Sequence, residues 1–238
     1  MKKIIIILIA AIAIAPSCRF RHRRHNGDAH QTSEQRSVGN FTAVESHGSI
    51  DIELAQGPQS IKVEADDDVI KYIETVIEDG TLHVRFKESI SFIDFDHAKV
   101  YVTVPELNRI EAHGSGDIKS SGKISAKEKI DIQVFGSGDI ALSLDAPSVN
   151  METHGSGDIE LRGESKDVSA SIHGSGDVNA ADLKAETAKV SIHGSGDANV
   201  YASESLEAEV SGSGDIHYKG SPKVNSNIHG SGSVSSMD

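Results

Sequence analysis

The sequence is poor in cysteine, tryptophan and positive charge. Its 238 residues include one cysteine and no tryptophan, aromatic residues make up 4%, and 23 lysines and arginines stand against 36 aspartates and glutamates. A single cysteine excludes a disulfide scaffold. A net charge of −13 argues against a nucleic-acid partner, which requires clustered basic side chains. Apolar and polar residues nevertheless alternate over much of the chain, which indicates folded β-structure rather than disorder.

The amino terminus has the features of an export signal. Lys2 and Lys3 precede an apolar run at residues 4–15. This run is shorter than the ~20 residues that a membrane-spanning helix needs, but it fits the apolar core of a signal peptide. We therefore expect residues 1–17 to be a signal peptide and the protein to be exported.

The single cysteine, Cys18, stands where a lipoprotein signal places the residue that becomes acylated. Ser17 before it fits a lipobox, whereas Pro16 departs from the commoner pattern. We expect Cys18 to be the lipidation site of an outer-membrane lipoprotein of the cell envelope, with the periplasmic or surface side left open. Ordinary secretion is the alternative. Residues 18–39 show almost no apolar periodicity and are predicted to be the flexible linker behind this lipid anchor.

The motif Gly-Ser-Gly-Asp recurs through the second half of the chain at spacings of 18 to 22 residues. A period near 20 is typical of stacked rungs or blades. The copies begin at Gly114, Gly136, Gly155, Gly174, Gly194 and Gly212, and a further copy at Gly230 ends in serine. An earlier relative at His47-Gly48-Ser49 leaves room for about three more rungs before the first full copy.

Apolar residues alternate with polar ones on both sides of each motif, which is the pattern of strands with one face in a core. The sequence therefore predicts an all-β parallel β-solenoid, a right-handed single-stranded β-helix with about 20 residues per rung. Residues 40–106 are predicted to form a strand-rich N-terminal part that covers one end. Residues 107–238 are predicted to form the repeat solenoid.

The same parity turns the residue before each motif, usually histidine, and the aspartate that ends it toward solvent. These residues are the candidate binding ladder: His113, Asp117, His154, Asp158, His173, Asp177, His193 and Asp197. His47 and His229 are further members, whereas Phe135 and Ser211 interrupt the series. We assign no catalytic residue, no metal site and no cofactor. Binding of a divalent cation by imidazole and carboxylate groups stays open as an alternative.

Two physical arguments bear on these outward residues. Groups two residues apart on one strand face lie about 6.6 Å apart, which disfavours a serine hydrolase built from the motif. Aspartates stacked ~4.8 Å apart repel by roughly 0.9 kcal/mol per pair in water, so we expect mild acid or a divalent cation to raise thermal stability.

Three segments carry a family resemblance: Asp-Gly-Thr-Leu-His-Val at 79–84, Val-Thr-Val-Pro-Glu-Leu at 102–107, and Ile-Glu-Ala-His-Gly-Ser-Gly-Asp-Ile at 110–118. With the serial motif copies, they resemble the bacterial head GIN domain family over about residues 40 to 220. The resemblance implies a secreted cell-envelope β-helix from a family described as autotransporter adhesins, and it implies no established catalytic residues.

These observations favour a non-catalytic cell-envelope lipoprotein that presents a β-helix surface for adhesion or for contact with a glycan or protein. Its expected partners are the membrane, through acylated Cys18, and an extracellular glycan or protein ligand, with no nucleic acid. Two alternatives remain: a β-helix enzyme that acts on polysaccharide, and a surface protein that binds divalent cations.

Overall fold

A computed structural model describes residues 30–89 and 95–237, which consist of 19 β-strands and one short 3-10 helix, η1 (Ile70–Tyr72). The predicted signal peptide and the lipidation site at Cys18 lie outside the described residues. Between Gly114 and Gly230, equivalent positions are 18 to 22 residues apart and pair in parallel on neighbouring strands. The predicted parallel β-solenoid is confirmed.

The parallel strand segments form two stacked sets, one before and one after the Gly-Ser-Gly-Asp motif, which we call sheet 1 and sheet 2; each rung of the solenoid contributes one segment to each. Sheet 1 contains, in spatial order, β6 (Thr81–Phe86), β2 (Ala43–Gly48), β8 (Arg109–Gly114), β10 (Lys129–Gly136), the second halves of β11 (Ile140–Gly155) and β12 (Ile159–Gly174), β14 (Thr187–Gly194), β16 (Ser205–Gly212) and β18 (Lys223–Gly230). Sheet 2 contains β7 (Ala98–Val104), β3 (Asp51–Gln56), β9 (Ile118–Ser125), the first halves of β11 and β12, β13 (Val178–Lys184), β15 (Ala198–Tyr201), β17 (Ile216–Lys219) and β19 (Val234–Ser236).

The rungs at the amino-terminal end do not stack in chain order. The rung of β2 and β3 lies between the rung of β6 and β7 and the rung of β8 and β9. Gly48 therefore pairs directly with Gly114. The expectation of about three rungs between these glycines is wrong. The chain between Gly48 and Gly114 forms one rung, β6 and β7, on the other side of β2 and β3, and most of its remaining residues form a cap.

The cap consists of η1 and three antiparallel strands: β1 (Gln31–Arg36), β4 (Ser60–Asp66) and β5 (Ile73–Glu78). β4 pairs with β7 and β1 with β4, while β5 pairs with β6. These pairs use the backbone groups that an open parallel sheet would leave exposed. The cap strands β4 and β5 therefore lie against β7 and β6, the first strands of the two sheets.

The position of β1 shows that the predicted linker at residues 18–39 extends too far toward the carboxyl terminus. β1 lies inside the segment 18–39 that was predicted to be flexible linker, yet it pairs along its whole length with β4. The Arg36 guanidinium also donates to the Ile73 carbonyl at 3.0 Å. β1 contains no apolar side chain, so hydrophobic periodicity could not reveal a strand that backbone pairing alone recruits.

The core fills the space between the two sheets with the inward aliphatic side chains. Ile172, Ile192 and Val210 lie at equivalent positions of successive rungs and have no exposed surface. Each such burial contributes roughly 1.5–3 kcal/mol. At the other end, the equivalent Ile228 in β18 is 41% exposed, because no described strand covers that rung.

The Gly-Ser-Gly-Asp motif forms the corner that joins sheet 1 to sheet 2. In one rung, the Gly155 carbonyl accepts the backbone N–H groups of Ser175 and Gly176 at 2.9 and 3.1 Å. Gly174 has a φ of +142°, and a Cβ on Gly176 would lie 2.2 Å from the Gly157 carbonyl oxygen. A Cβ on Gly174 would itself lie 2.3 Å from the Gly155 carbonyl oxygen, so the first glycine is needed for both its backbone conformation and the close approach of neighbouring rungs, and the second for the close approach.

Candidate functional site

The outward face of sheet 1 carries a stack of rings that we call the imidazole ladder. Neighbouring ring centroids are 4.6 to 5.9 Å apart, with interplanar angles of 6° to 20°. In spatial order the ladder contains His83, His47, His113, Phe135, His154, His173 and His193. The four histidines predicted as site residues lie in this ladder. Phe135, which was expected to interrupt the series, continues it as a stacked ring, whereas Ser211 pairs with His193 and does end it.

The histidine rings lean back along their strands toward the residue two positions earlier. Glu111 Oε2 lies 3.0 Å from His113 Nε2, and Ser171 Oγ lies 3.1 Å from His173 Nε2. The same geometry pairs Glu152 with His154 at 2.7 Å. The 6.6 Å spacing argument was therefore too strict for these pairs, because an imidazole is long enough to span it. The serine involved precedes the motif and is not the motif serine.

The predicted aspartates form a second, separate ladder at the corners. Each carboxylate accepts the backbone N–H of the aspartate in the next rung, at 2.7 to 3.1 Å. This aspartate ladder contains Asp51, Asp117, Asp139, Asp158, Asp177, Asp197 and Asp215, and it ends where Asp215 accepts from Ser233. The described hydrogen bonds of these aspartates lead to backbone groups, Ser233 and Lys119, so they belong to the architecture of the corner.

The pKa shifts in the aspartate ladder reverse the expectation about acid. Burial alone would raise the pKa of Asp117, but hydrogen bonds from the Lys119 ammonium and the Asp139 N–H outweigh it and lower that pKa. The Ser233 hydroxyl and N–H lower the pKa of Asp215 in the same way. Both carboxylates are favoured in their ionised form, so protonating them, which requires a pH below their ordinary pKa, removes stabilisation instead of relieving repulsion.

Two clusters of carboxylate and imidazole groups lie along the imidazole ladder. The first, which we call the cap-side cluster, contains Glu45, His47, His83, Glu111 and His113; the second, the mid-solenoid cluster, contains Glu152, His154 and His173. Sequence reasoning missed the carboxylates, although Glu45, Glu111 and Glu152 stand two residues before His47, His113 and His154. It also missed His83, because only the out-of-order stacking of β6 on β2 brings it there.

The cap-side cluster perturbs one of its imidazoles. Burial lowers the pKa of His47, and the neighbouring His113 and His83 add to this effect, while Glu45 opposes it. One depression of about 300 Å³ has Gln56, Leu107 and Ala126 in its wall. That depression includes no residue of either ladder.

Comparison with known proteins agrees with this geometry. Residues 40–222 match the family described as "Putative auto-transporter adhesin, head GIN domain". The chain belongs to this family. No curated protein sequence matches it. Across residues 30–89 and 95–237, no helix is long and apolar enough to cross a bilayer.

Several solved structures have a fold similar to that of this chain. A "putative adhesin" from Bacteroides fragilis NCTC 9343 is 26% identical, with a TM-score of 0.83 over 87% of this chain and 97% of that one. A "putative lipid binding protein" from Parabacteroides distasonis ATCC 8503 is 27% identical, with a TM-score of 0.74 over 89% and 98%. A "putative adhesin" from the same organism is 26% identical, with a TM-score of 0.72 over 89% and 98%. These similarities support an exported or cell-envelope protein.

Proposed function

We propose that this protein is a lipid-anchored protein of the cell envelope whose solenoid serves as a non-catalytic adhesive surface for a glycan or a protein. The observation that carries the proposal is the aspartate ladder, in which carboxylates of successive rungs bond the backbone of the next rung. A carboxylate used in this way is a poor general acid or base, since protonating it breaks a contact between rungs. Repetition of one structural unit favours many equivalent contacts over one reactive centre.

The imidazole ladder is the part of this surface best suited to contact a ligand. The side chains of His113 and His154 are 31% and 38% exposed, so the rings keep an accessible edge while their faces stack. Serine and glutamate side chains lie beside them on the same face. Such a strip of ring edges, hydroxyls and carboxylates can exchange hydrogen bonds with sugar hydroxyls or a protein surface. The family description as adhesins is consistent with this use.

The test compares two faces of the same rungs. All described strands lie within residues 30–237, so a labelled chain lacking residues 1–18 keeps every contact described above. It is applied to an array of glycans and extracellular matrix proteins. One variant changes the ladder, with His154, His173 and His193 each replaced by Asn. The matched control changes outward positions of sheet 2, with Glu160, Asn179 and Asn199 each replaced by Ser.

We expect the intact chain to bind array members and the ladder variant to bind them roughly tenfold less well, a loss of about 1.4 kcal/mol. The sheet 2 variant should bind as the intact chain does. Absence of binding by the intact chain, equal binding by both variants, or release of reducing ends from a polysaccharide would each overturn the proposal.

The lipid anchor has its own test. We expect the full chain expressed in a Gram-negative host to fractionate with membranes and to incorporate a labelled fatty acid. The Cys18→Ser variant should lose both properties. Equal labelling and fractionation of the two proteins would contradict acylation at Cys18.

A further inference from the structure

Three imidazoles surround one carboxylate where the cap meets the repeat. Glu45 Oε1 lies 2.8 Å from His47 Nε2 and 3.5 Å from His113 Nε2, and Glu45 Oε2 lies 3.4 Å from His83 Nδ1. These residues come from three neighbouring strands of sheet 1: β6, β2 and β8. The convergence therefore depends on the out-of-order rung, and it differs from the simple row of one histidine per rung that the repeat predicts.

A second carboxylate adds negative charge to this group. Glu111 pairs in register with Glu45, and the two side chains are only 15% and 17% exposed. Among the described ion pairs, Arg109 contacts Glu111 at 3.2 Å, whereas Glu45 contacts imidazoles alone. Of these two partly buried carboxylates on adjacent strands, only Glu111 contacts a guanidinium, and a bound cation would neutralise the charge of Glu45.

We propose that the cap-side cluster is a binding site for a divalent transition metal of the zinc class, with His47, His83 and Glu45 as ligands. Two imidazole nitrogens and one carboxylate oxygen, with water in the fourth position, are a donor set that suits Zn²⁺. Tetrahedral bonds of 2.0–2.1 Å place ligand atoms about 3.4 Å apart. The His47 and His83 nitrogens lie 2.8 and 3.4 Å from the Glu45 oxygens, and one ligand atom from each of the three residues lies within 4.8 Å of the other two.

The mid-solenoid cluster supplies an internal comparison. It has one carboxylate, Glu152, and two imidazoles, and the next ring on the cap side is Phe135 instead of a third histidine. Gln133 stands in register where a second carboxylate would be, and it donates to Glu152 at 2.8 Å. The mid-solenoid cluster therefore has one less negative charge than the cap-side cluster, and we expect it to bind the same ion more weakly.

The site is tested with Zn²⁺ and Co²⁺ on the untagged chain lacking residues 1–18. Calorimetry gives the stoichiometry and affinity for Zn²⁺, and the visible absorption of Co²⁺ reports tetrahedral coordination. The test variants are Glu45→Gln and His83→Gln, and the matched control is His173→Gln in the mid-solenoid cluster. Circular dichroism of each apoprotein verifies that its sheet content is unchanged, so a lost fold is not mistaken for a lost site.

We expect one tight Zn²⁺ site per chain, an intense Co²⁺ band, and an increase in melting temperature on adding Zn²⁺. Both test variants should weaken Zn²⁺ at least tenfold and lose the Co²⁺ band, while the His173 variant keeps both. No binding by the intact chain at millimolar Zn²⁺, or unchanged affinity in the folded Glu45 and His83 variants, would overturn the proposal. Failure of the adhesion assay would leave this site unaffected, because the two tests use different readouts and the metal-site variants, Glu45→Gln and His83→Gln, change no residue of the adhesion variant.

Discussion

Replacing Gly176 by alanine tests whether the motif is a structural corner. The added Cβ would lie 2.2 Å from the Gly157 carbonyl oxygen and 3.1 Å from its carbon, so two backbone segments must separate. Overpacking of a tight interior costs typically about 1–3 kcal/mol. Since the obstacle here is backbone rather than a flexible side chain, we expect the upper end of that range, about 3 kcal/mol.

The matched control is Gly122→Ala. A Cβ on Gly122 would meet no atom within 4 Å, so the substitution should change stability by less than about 1 kcal/mol and can stabilise by restricting the unfolded chain.

Urea unfolding followed by circular dichroism measures both variants. With a slope of about 1–3 kcal/mol per molar urea, the Gly176 variant should unfold at least about 1 M earlier than the parent. Midpoints are compared directly, because repeat arrays can depart from two-state unfolding. Equal midpoints for the Gly176 variant and the parent would refute the corner geometry, as would equal losses in the two variants.

Two further predictions concern the aspartate ladder and the core. Because the pKa values of Asp117 and Asp215 are lowered in the fold, their contribution is present above the unfolded value of about 3.9 and is lost as pH falls through the folded values. The melting temperature should therefore stay constant from about pH 7 to 5 and decrease once the pH is below about 4. The decrease should be less steep in the Asp117→Asn and Asp215→Asn variants. A melting temperature that rises in mild acid would contradict this prediction. Ile172→Ala should lower the free energy of unfolding, measured by urea titration, by about 2–5 kcal/mol. Ile228→Ala, at the equivalent exposed position, should lower it by less than about 1 kcal/mol. Equal losses would show that the last rung is covered.

Much of the solenoid could be predicted because its signals are local. Alternation around Ile172 and Ile192 identifies the inward face, and glycines at fixed intervals mark the corners. The stacking of the ladder histidines follows from the same register. Each of these inferences needs only the period of the strand and the period of the repeat.

The departures from prediction depend on tertiary contacts. Nothing local indicates that β6 stacks on β2, so the approach of His83 to Glu45 could not be read from the repeat. β1 is recruited by the free backbone edge of β4, which has no sequence signature. Phe135 was predicted to interrupt the series because the sequence argument required a histidine at each position. The stack requires only a flat aromatic ring, which phenylalanine also provides.

Removing one whole rung tests the central claim that the motif copies are interchangeable corners of a repeating surface. Deleting residues 156–174 joins Gly155 to Ser175, preserves the motif, and brings β14 onto the second half of β11 in the register that β12 now occupies. The account predicts a folded protein with an unchanged β-sheet spectrum and, by small-angle scattering, a length reduced by about 4.8 Å. An unfolded or aggregated product, when the parent folds under the same conditions, would contradict it.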